Sequence, residues 1–372
     1  MTSSTPLFGW MMGAVGEDGA SDTTLYRNMM SDADLGYALG YDAPWIVEHH
    51  FSNYYPTPSP MVVLAHIAAK YPDFPLGTAV IVTPWHHPLR IAEEIAMLSI
   101  FSDAPLRIGL GRGMAPLEYE AFGISLFEAK DRFEEIREII RLALRGRHFT
   151  YAGKYYKIER ETILRPTPRM ENISFFGAIS QPSSAQKIAD LDLQPMMTGQ
   201  GPHEEQRKIL DAWSEATRQR GGDADSALKV VSPIMIMADT DREAIELARI
   251  YVPRWFQLQV EHYAADEKLY GNVPSYASFS ATFKQRIANC NPDNLGKLFE
   301  VSLIGGPETV RARLRKFLDT GYNYVMVQPS LPGLPHHIRQ DWLTRFARDV
   351  MPHFGARPRR AAPAPSRLAV AG

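Results

Sequence analysis

In WIVEHHFSNYYPTPSP, residues 45–60, Glu48, His49 and His50 stand in a row directly after a short apolar run. An imidazole titrates near neutral pH, so His49 can serve as an acid or base, and Glu48 beside it can orient the ring or raise its pKa. The same residues also suit a strand-end histidine hydrogen-bonded to backbone. A second pair, His86 and His87 in WHHP, raises the question of a metal site. Adjacent residues of an extended segment point to opposite faces, and neither an H-E-x-x-H helix nor a compact two-histidine-plus-carboxylate spacing occurs, so no metal is expected.

Further along, GLGRGMAPLEYEAFG sets Arg112 between Gly111 and Gly113, where the missing side chains let a guanidinium approach an anionic group closely. A tight turn explains the same pattern. AISQPSSAQKIADL brings Ser180, Ser183 and Ser184 to a helix start, where unpaired N–H groups and hydroxyls favour an anion such as phosphate. Ordinary N-capping by Ser183 or Ser184 is the plainer alternative. Trp10, Met12, His50, Trp85 and Met114 are candidates for the rim of a pocket for an apolar or aromatic substrate, or equally for core packing.

Such residues need a frame that brings strand ends together. Short apolar runs at 7–13, 43–47, 76–82, 106–111, 172–178, 193–199, 230–237 and 322–328 alternate with helical stretches, among them SPMVVLAHIAAKY, HPLRIAEEIAMLSIFS, EAKDRFEEIREIIRLALRG and GPETVRARLRKFLDTG. In the third of these, Phe133, Ile136, Ile140 and Leu144 recur at spacings of three and four, the mark of one apolar face. The alternation predicts an α/β fold, a (β/α)8 TIM barrel with insertions after strands 4 and 7, forming one domain over 1–354. A doubly wound sheet is the competitor, but no G-x-G-x-x-G turn follows the first strand. Residues 149–168 read as a hairpin, 261–294 as a candidate lid over the barrel mouth, and 355–372 as a disordered tail.

The 372 residues are 45% hydrophobic and 22% charged, with 40 basic against 42 acidic side chains and a formal net charge of −2. That balance argues against a nucleic acid or an acidic membrane as partner. Cys290 is the single cysteine, which excludes an intrachain disulfide and a multi-cysteine zinc site. The N-terminus has no basic leader and no run is long and apolar enough to span a bilayer, so a cytoplasmic location is expected.

The runs WIVEHHF, LGTAVIVTPWHHPLRIAEEIAMLSIFS and RIGLGRGMAPLEYEAFG together resemble the bacterial luciferase-like flavin monooxygenases, with EHHF nearer the luciferase α chain than the deazaflavin-dependent relatives. IGGPETVRARLRKFLDTGYNYVMVQ resembles the closing β-α-β segment of that family, whereas the region 200–300 has little diagnostic content. The resemblance implies reduced FMN, supplied by a separate NAD(P)H-dependent flavin reductase, and O2 as co-substrate, with a small organic substrate oxygenated through an adduct at the flavin C4a. It implies that His49, with Glu48, is the acid/base near C4a and that a non-prolyl cis peptide joins Ala79 and Val80 beneath the ring. Arg112 would then hold the phosphate with Ser180 and Ser183 or Ser184, and the helices over 59–102 would form a homodimer. The cysteine that precedes the arginine in luciferases is Gly111 here, so that thiol is absent, its volume is expected to be open, and light emission is not implied. A deazaflavin-dependent dehydrogenase on the same barrel, a silent flavin-binding protein, and a metal-dependent hydrolase built on His49, His50, His86 and His87 are the rivals.

Overall fold

The computed structural model describes residues 5–263, 273 and 279–356. Its strands, in chain order, are β1 (Leu7–Met12), β2 (Pro44–Ile46), β3 (Leu76–Val82), β4 (Leu106–Gly111), β5 (Phe149–Ala152), β6 (Lys157–Thr162), β7 (Ile173–Ala178), β8 (Gln194–Met197), β9 (Val230–Val231), β10 (Met235–Met237), β11 (Leu303–Gly305) and β12 (Tyr324–Val327). Eight of them close a barrel in the order β1-β12-β9-β8-β7-β4-β3-β2, with parallel pairing throughout. This is the (β/α)8 barrel expected from the alternation, and all eight apolar runs supply a barrel strand.

The run 230–237 divides. Its first two residues join the barrel as β9, while β10 leaves it to pair in parallel with β11. Pro233 lies at the break and has no N–H to give to a ladder, which is why one apolar run becomes two strands. The stretch 149–168 holds the expected antiparallel hairpin, β5 against β6.

The helices are α1 (Asp22–Leu39), α2 (Pro60–Lys70), α3 (Pro88–Phe101), α4 (Pro116–Ala121), α5 (Ala129–Ala143), α6 (Ala185–Asp190), α7 (His203–Gln219), α8 (Asp241–His262), α9 (Phe279–Asn289), α10 (Gly296–Glu300), α11 (Pro307–Thr320) and α12 (His336–Arg345). The start signals act as the sequence suggested. Ser59 and His87 cap α2 and α3, each followed by proline at the first helical position, and α5 buries Phe133, Ile136, Ile139, Ile140 and Ala143. No helix among the described residues is long and apolar enough to cross a membrane. Of the expected lid, 264–272 and 274–278 lie outside the described residues. So does the tail from 357 onward, while Gly355 and Ala356 complete the last helical turn.

Two apolar layers result. Inside the barrel, Ala43, Trp45, Phe176, Met196, Val230, Tyr324 and Met326 pack together. At the end of the barrel where the strands begin, Arg107 pairs with Asp42 at 2.9 Å and Tyr324 donates to Asp42 at 2.8 Å, which closes the floor. A larger layer fills the space between strands and helices and includes Trp10, Met12, Tyr41, Leu64, Ile95 and Trp342. The C-terminal strand ends are left as the mouth, where barrel enzymes place their chemistry.

Candidate active site

His49 follows β2 by three residues, and the loop around it is stapled at several points. His49 forms an antiparallel bridge with Thr57, whose hydroxyl accepts from the Ala14 N–H at 2.9 Å, and Tyr26 donates to the Pro56 carbonyl at 2.8 Å. Phe51 and Tyr55 take left-handed backbone angles, φ +59° and +51°, which bulky side chains rarely adopt. Tyr55 is tied to the Ser330 carbonyl, so the loop after β2 is anchored to the segment after β12. A backbone fixed this way sets the place of the imidazole to within a narrow range.

The carboxylate facing His49 is not its neighbour. Glu48 is buried and turns toward β3, accepting from the Val82 N–H at 2.8 Å and meeting His86 at 2.6 Å and His50 at 3.1 Å. Burial pushes its carboxyl up, but the bonds from His50, His86 and Val82 outweigh that and hold it below the usual range. Glu48 therefore ties the ends of β2 and β3 together, which corrects its expected role as the group orienting His49. That position belongs to Glu118 on α4, whose carboxylate lies 3.8 Å from His49 Nδ1 and accepts from the His50 N–H at 2.7 Å. His262, the last residue of α8, comes within 3.3 Å of the same oxygen.

Burial pushes the Glu118 carboxyl up, but His262 and His49 overcome it and bring the group down to about 2. His49 moves the other way from an ordinary histidine, because burial lowers it and Glu118 only partly restores it. Its side chain is 16% exposed, and Nδ1 is buried without a hydrogen-bond partner. An imidazole of this kind, neutral at pH 7 and beside a fixed anion, suits proton transfer.

The two depressed carboxyls make an acid prediction. Each favours the fold fully above its ordinary 4.5 and loses that contribution as pH falls through its folded value. Stability measured as the urea midpoint is expected to drop steeply between pH 4.5 and 2, and Glu118→Gln is expected to flatten that drop. An equally steep loss in the variant would show that Glu118 does not titrate low in the fold.

The four histidines singled out in the sequence do not share one partner, and His49 faces Glu118. His50 and His86 share Glu48, while His87 accepts from the Leu89 N–H as the cap of α3. Among the described residues, the group with metal-like composition is instead His49, Glu118 and His262, whose ligand atoms lie within 4.8 Å of one another. Neither Glu118 nor His262 was singled out in the sequence.

The anion-binding candidates do come to one side of the mouth. Arg112 follows β4 and the 180–184 segment follows β7, and these strands are paired neighbours in the barrel. Gly113 takes φ +67°, and a Cβ there would meet Val82 at 2.5 Å and Trp85 at 2.9 Å, so glycine is required for the turn that presents Arg112. Ser184 stands at the N-cap position of α6 but its side chain makes no capping hydrogen bond, and the Ser183 hydroxyl donates to Gln181 Oε1 at 3.4 Å, so neither hydroxyl caps the helix. Between Thr78 and Ile81 the β3–β4 pairing shifts register, and there Ala79 and Val80, joined by a cis peptide, are partly accessible in an otherwise buried strand.

Three of the five pocket candidates reach the mouth. Trp85 stacks on Phe122 at 5.3 Å, His50 meets the edge of the same ring at 5.0 Å, and Met114 packs beside Tyr119 and Leu126. Trp10 and Met12 do not reach it. They point outward into the layer beneath the helices, Trp10 against Tyr41 and Phe74, and on the opposite face of β1 Met11 packs against the inner cluster. The volume expected to be open at Gly111 is also taken, since a Cβ there would meet Val80 Cγ2 at 2.4 Å.

A closed parallel barrel with a histidine beside a buried carboxylate, and with an arginine and a serine-bearing turn after neighbouring strands, is a frame that enzymes of several families share. The model of the luciferase-like monooxygenase family matches residues 8–324, and the chain belongs to that family. The chain is 34% identical over 153 residues to y4vJ of Sinorhizobium fredii (strain NBRC 101917 / NGR234), a match spanning 40% of this chain and 44% of that one. It is 27% identical over 205 residues to the oxygenase component of the flavin-dependent trigonelline monooxygenase of Acinetobacter baylyi (strain ATCC 33305 / BD413 / ADP1), covering 54% and 56% of the two chains. The chain thus spans about half the length of these relatives. In fold it is similar to the monooxygenase RslO1 of Streptomyces bottropensis, with a TM-score of 0.75, 23% identity, and 94% of this chain and 99% of that one covered.

Proposed function

We propose that the protein is the oxygenase component of a two-component system, which uses reduced FMN from a separate NAD(P)H-dependent reductase, and O2, to oxygenate a small apolar or aromatic molecule. The observation that carries this reading is His49, a partly buried imidazole beside an ionised Glu118, at the mouth that also carries Arg112 and the 180–184 serines. The trigonelline relative, whose name is that of an oxygenase component, supports it.

The residues present fit such a cofactor. A guanidinium and serine hydroxyls on neighbouring strand ends form a donor set suited to a phosphate, and Ala79 and Val80 offer a small apolar step suited to one face of a flat ring. Arg112, Ser180, Ser183 and Ser184 would hold the phosphate, and Ala79 and Val80 would lie against the ring. When bound, reduced FMN supplies the two electrons that activate O2. His49 gives and takes the proton at the reacting centre, while Tyr54, Tyr55 and Trp85 keep water from the mouth.

The test is an anaerobic titration with reduced FMN followed by mixing with O2. Bound flavin is expected to reoxidise more slowly than free flavin, and small aromatic compounds are expected to yield product at the expense of H2O2. Binding with H2O2 as the sole product for every compound would make this a silent binder. Tight binding of an oxidised deazaflavin, with no effect on reduced FMN, would make it a dehydrogenase.

The same reading includes a homodimer. Val62 on α2 and Met97, Ile100 and Phe101 on α3 are exposed at 69%, 44%, 45% and 52%, an apolar concentration on helices that pack side by side. Light scattering at micromolar concentration is expected to give the mass of two chains, and Ile100→Lys with Phe101→Glu to give one. A monomeric wild type would remove the dimer.

A further inference from the structure

Beyond His49 itself, a line of polar groups runs behind the mouth from the loop after β2 to the end of α8, and its parts are far apart in the chain. We propose that Glu118 and His262, backed by Ser52, are positioning residues that hold the His49 ring with its proton on Nδ1 and its lone pair on Nε2. The proposal rests on His49 being the acid/base group of the mouth and adds the parts of the chain that set its state.

The direction of each hydrogen bond follows from the one before it. Glu118 Oε1, a carboxylate oxygen that can only accept, lies 3.3 Å from His262 Nε2, so that nitrogen carries the ring proton. His262 Nδ1 is then the bare nitrogen and accepts from Ser52 Oγ at 2.7 Å, while the Tyr54 N–H donates to the same hydroxyl oxygen at 3.2 Å. Glu118 is an ionised carboxylate and can only accept, and it already takes the His50 N–H at 2.7 Å. The remaining nitrogen directed at it is His49 Nδ1, at 3.8 Å. Were Nδ1 the bare nitrogen of His49, its lone pair would face a buried carboxylate with no solvent between them. With the proton on Nδ1, the same approach is attractive, and the orphaned buried atoms of both rings gain a partner after a shift of a few tenths of an ångström.

The other groups around His49 leave this assignment in place. Tyr54 packs on the ring at 4.7 Å and Tyr55 at 6.4 Å, and burial raises both phenols, Tyr54 to about 12, so neither titrates near neutral pH. Tyr263 lies at 6.2 Å with Arg286 over its ring, and Glu48 acts on His49 only through space. His262 meets His49 edge-on at 4.9 Å, and a charge on its ring would disfavour one on His49, so the neutral His49 ring keeps its one proton directed at Glu118. The last turn of α8, part of the insertion after the seventh barrel strand, thereby becomes part of the catalytic apparatus without touching substrate.

The test reads the ring directly, in flavin-free protein labelled with 15N at histidine. Two-bond 15N–1H spectra between pH 5 and 9 are expected to show wild-type His49 as the Nδ1–H tautomer. In Glu118→Gln the preference is expected to be lost and the His49 midpoint to fall by at least about half a pH unit, since the anion that favours its charged form is gone. Glu118→Asp is expected to restore most of the midpoint, and the acidic limb of the pH–rate profile, where the Nε2 lone pair is lost to protonation, to move with it, whereas a merely structural glutamate would lower the rate at every pH without moving the limb. The glutamine amide oxygen can still accept the His50 N–H, so the variant is expected to fold. A wild-type His49 with its proton on Nε2, or an unchanged midpoint in Glu118→Gln, would overturn the proposal. So would a stoichiometric divalent metal that is carried by purified protein and lost in His262→Ala. Because the spectra need no flavin, their outcome is separate from that of the FMN assays.

Discussion

His49→Ala is expected to lower product formation by about 10²–10⁴-fold while FMN affinity changes little, because a general acid–base group acts on the transition state more than on ground-state binding. Oxygen consumption is expected to continue and to end in H2O2, so the ratio of product to O2 consumed falls with the rate. The variant is expected to fold: the His49 side chain makes no hydrogen bond of good geometry among the described residues, and the loop is held through backbone contacts to Thr57 and through Tyr26 and Tyr55. His50→Ala tests the contrast between neighbours. The His50 ring contacts Glu48 and the Phe122 ring, and its link to Glu118 is the backbone N–H, which alanine keeps, so its loss is expected to cost stability and leave coupling near normal. Folded His49→Ala that turns over with wild-type coupling would return this histidine to a packing role.

The frame of the site was legible because barrel strands are buried on both faces. Runs such as LGTAVIV and LRIGLG are too apolar for anything but such a strand, and the closed order follows once helices alternate with them. The same property hides which face is which. In LFGWMM both faces are apolar, so nothing local shows that Trp10 and Met12 look outward while Met11 looks inward. That His49 and Arg112 lie just past strand ends could be read from their neighbours. Their partners could not, since Glu118 meets His50 across 68 residues and His262 meets Ser52 across 210. A glutamate in PLEYEA and a histidine at the end of a long amphipathic helix carry no local mark of function. Their role comes from the barrel closing and from α8 reaching back over the mouth. The reading of Glu48 as the orienting group failed for a related reason: adjacency in the chain placed it beside His49, but the alternation of an extended segment turned it toward β3.

Arg112→Ala is expected to weaken FMN binding by about 30- to 1000-fold, roughly 2–4 kcal/mol, the cost of removing one partner of a charge-assisted pair at a partly enclosed site. The loop is expected to survive the change. Gly113 sets the turn by its own conformation, and the Tyr119 hydroxyl donates to the Arg112 backbone carbonyl, so the backbone is held without the guanidinium. Riboflavin, which lacks the phosphate, separates a direct contact from a general loss of the pocket, and its affinity is expected to change far less. Arg112→Lys is expected to recover only part of the loss, since an ammonium keeps the charge but not the planar fork. Ser184→Ala is expected to cost about 1 kcal/mol, as one neutral hydrogen bond does. Equal losses for FMN and riboflavin in Arg112→Ala would place the phosphate elsewhere, and the paired ends of β4 and β7 would then have no claim to be its cradle.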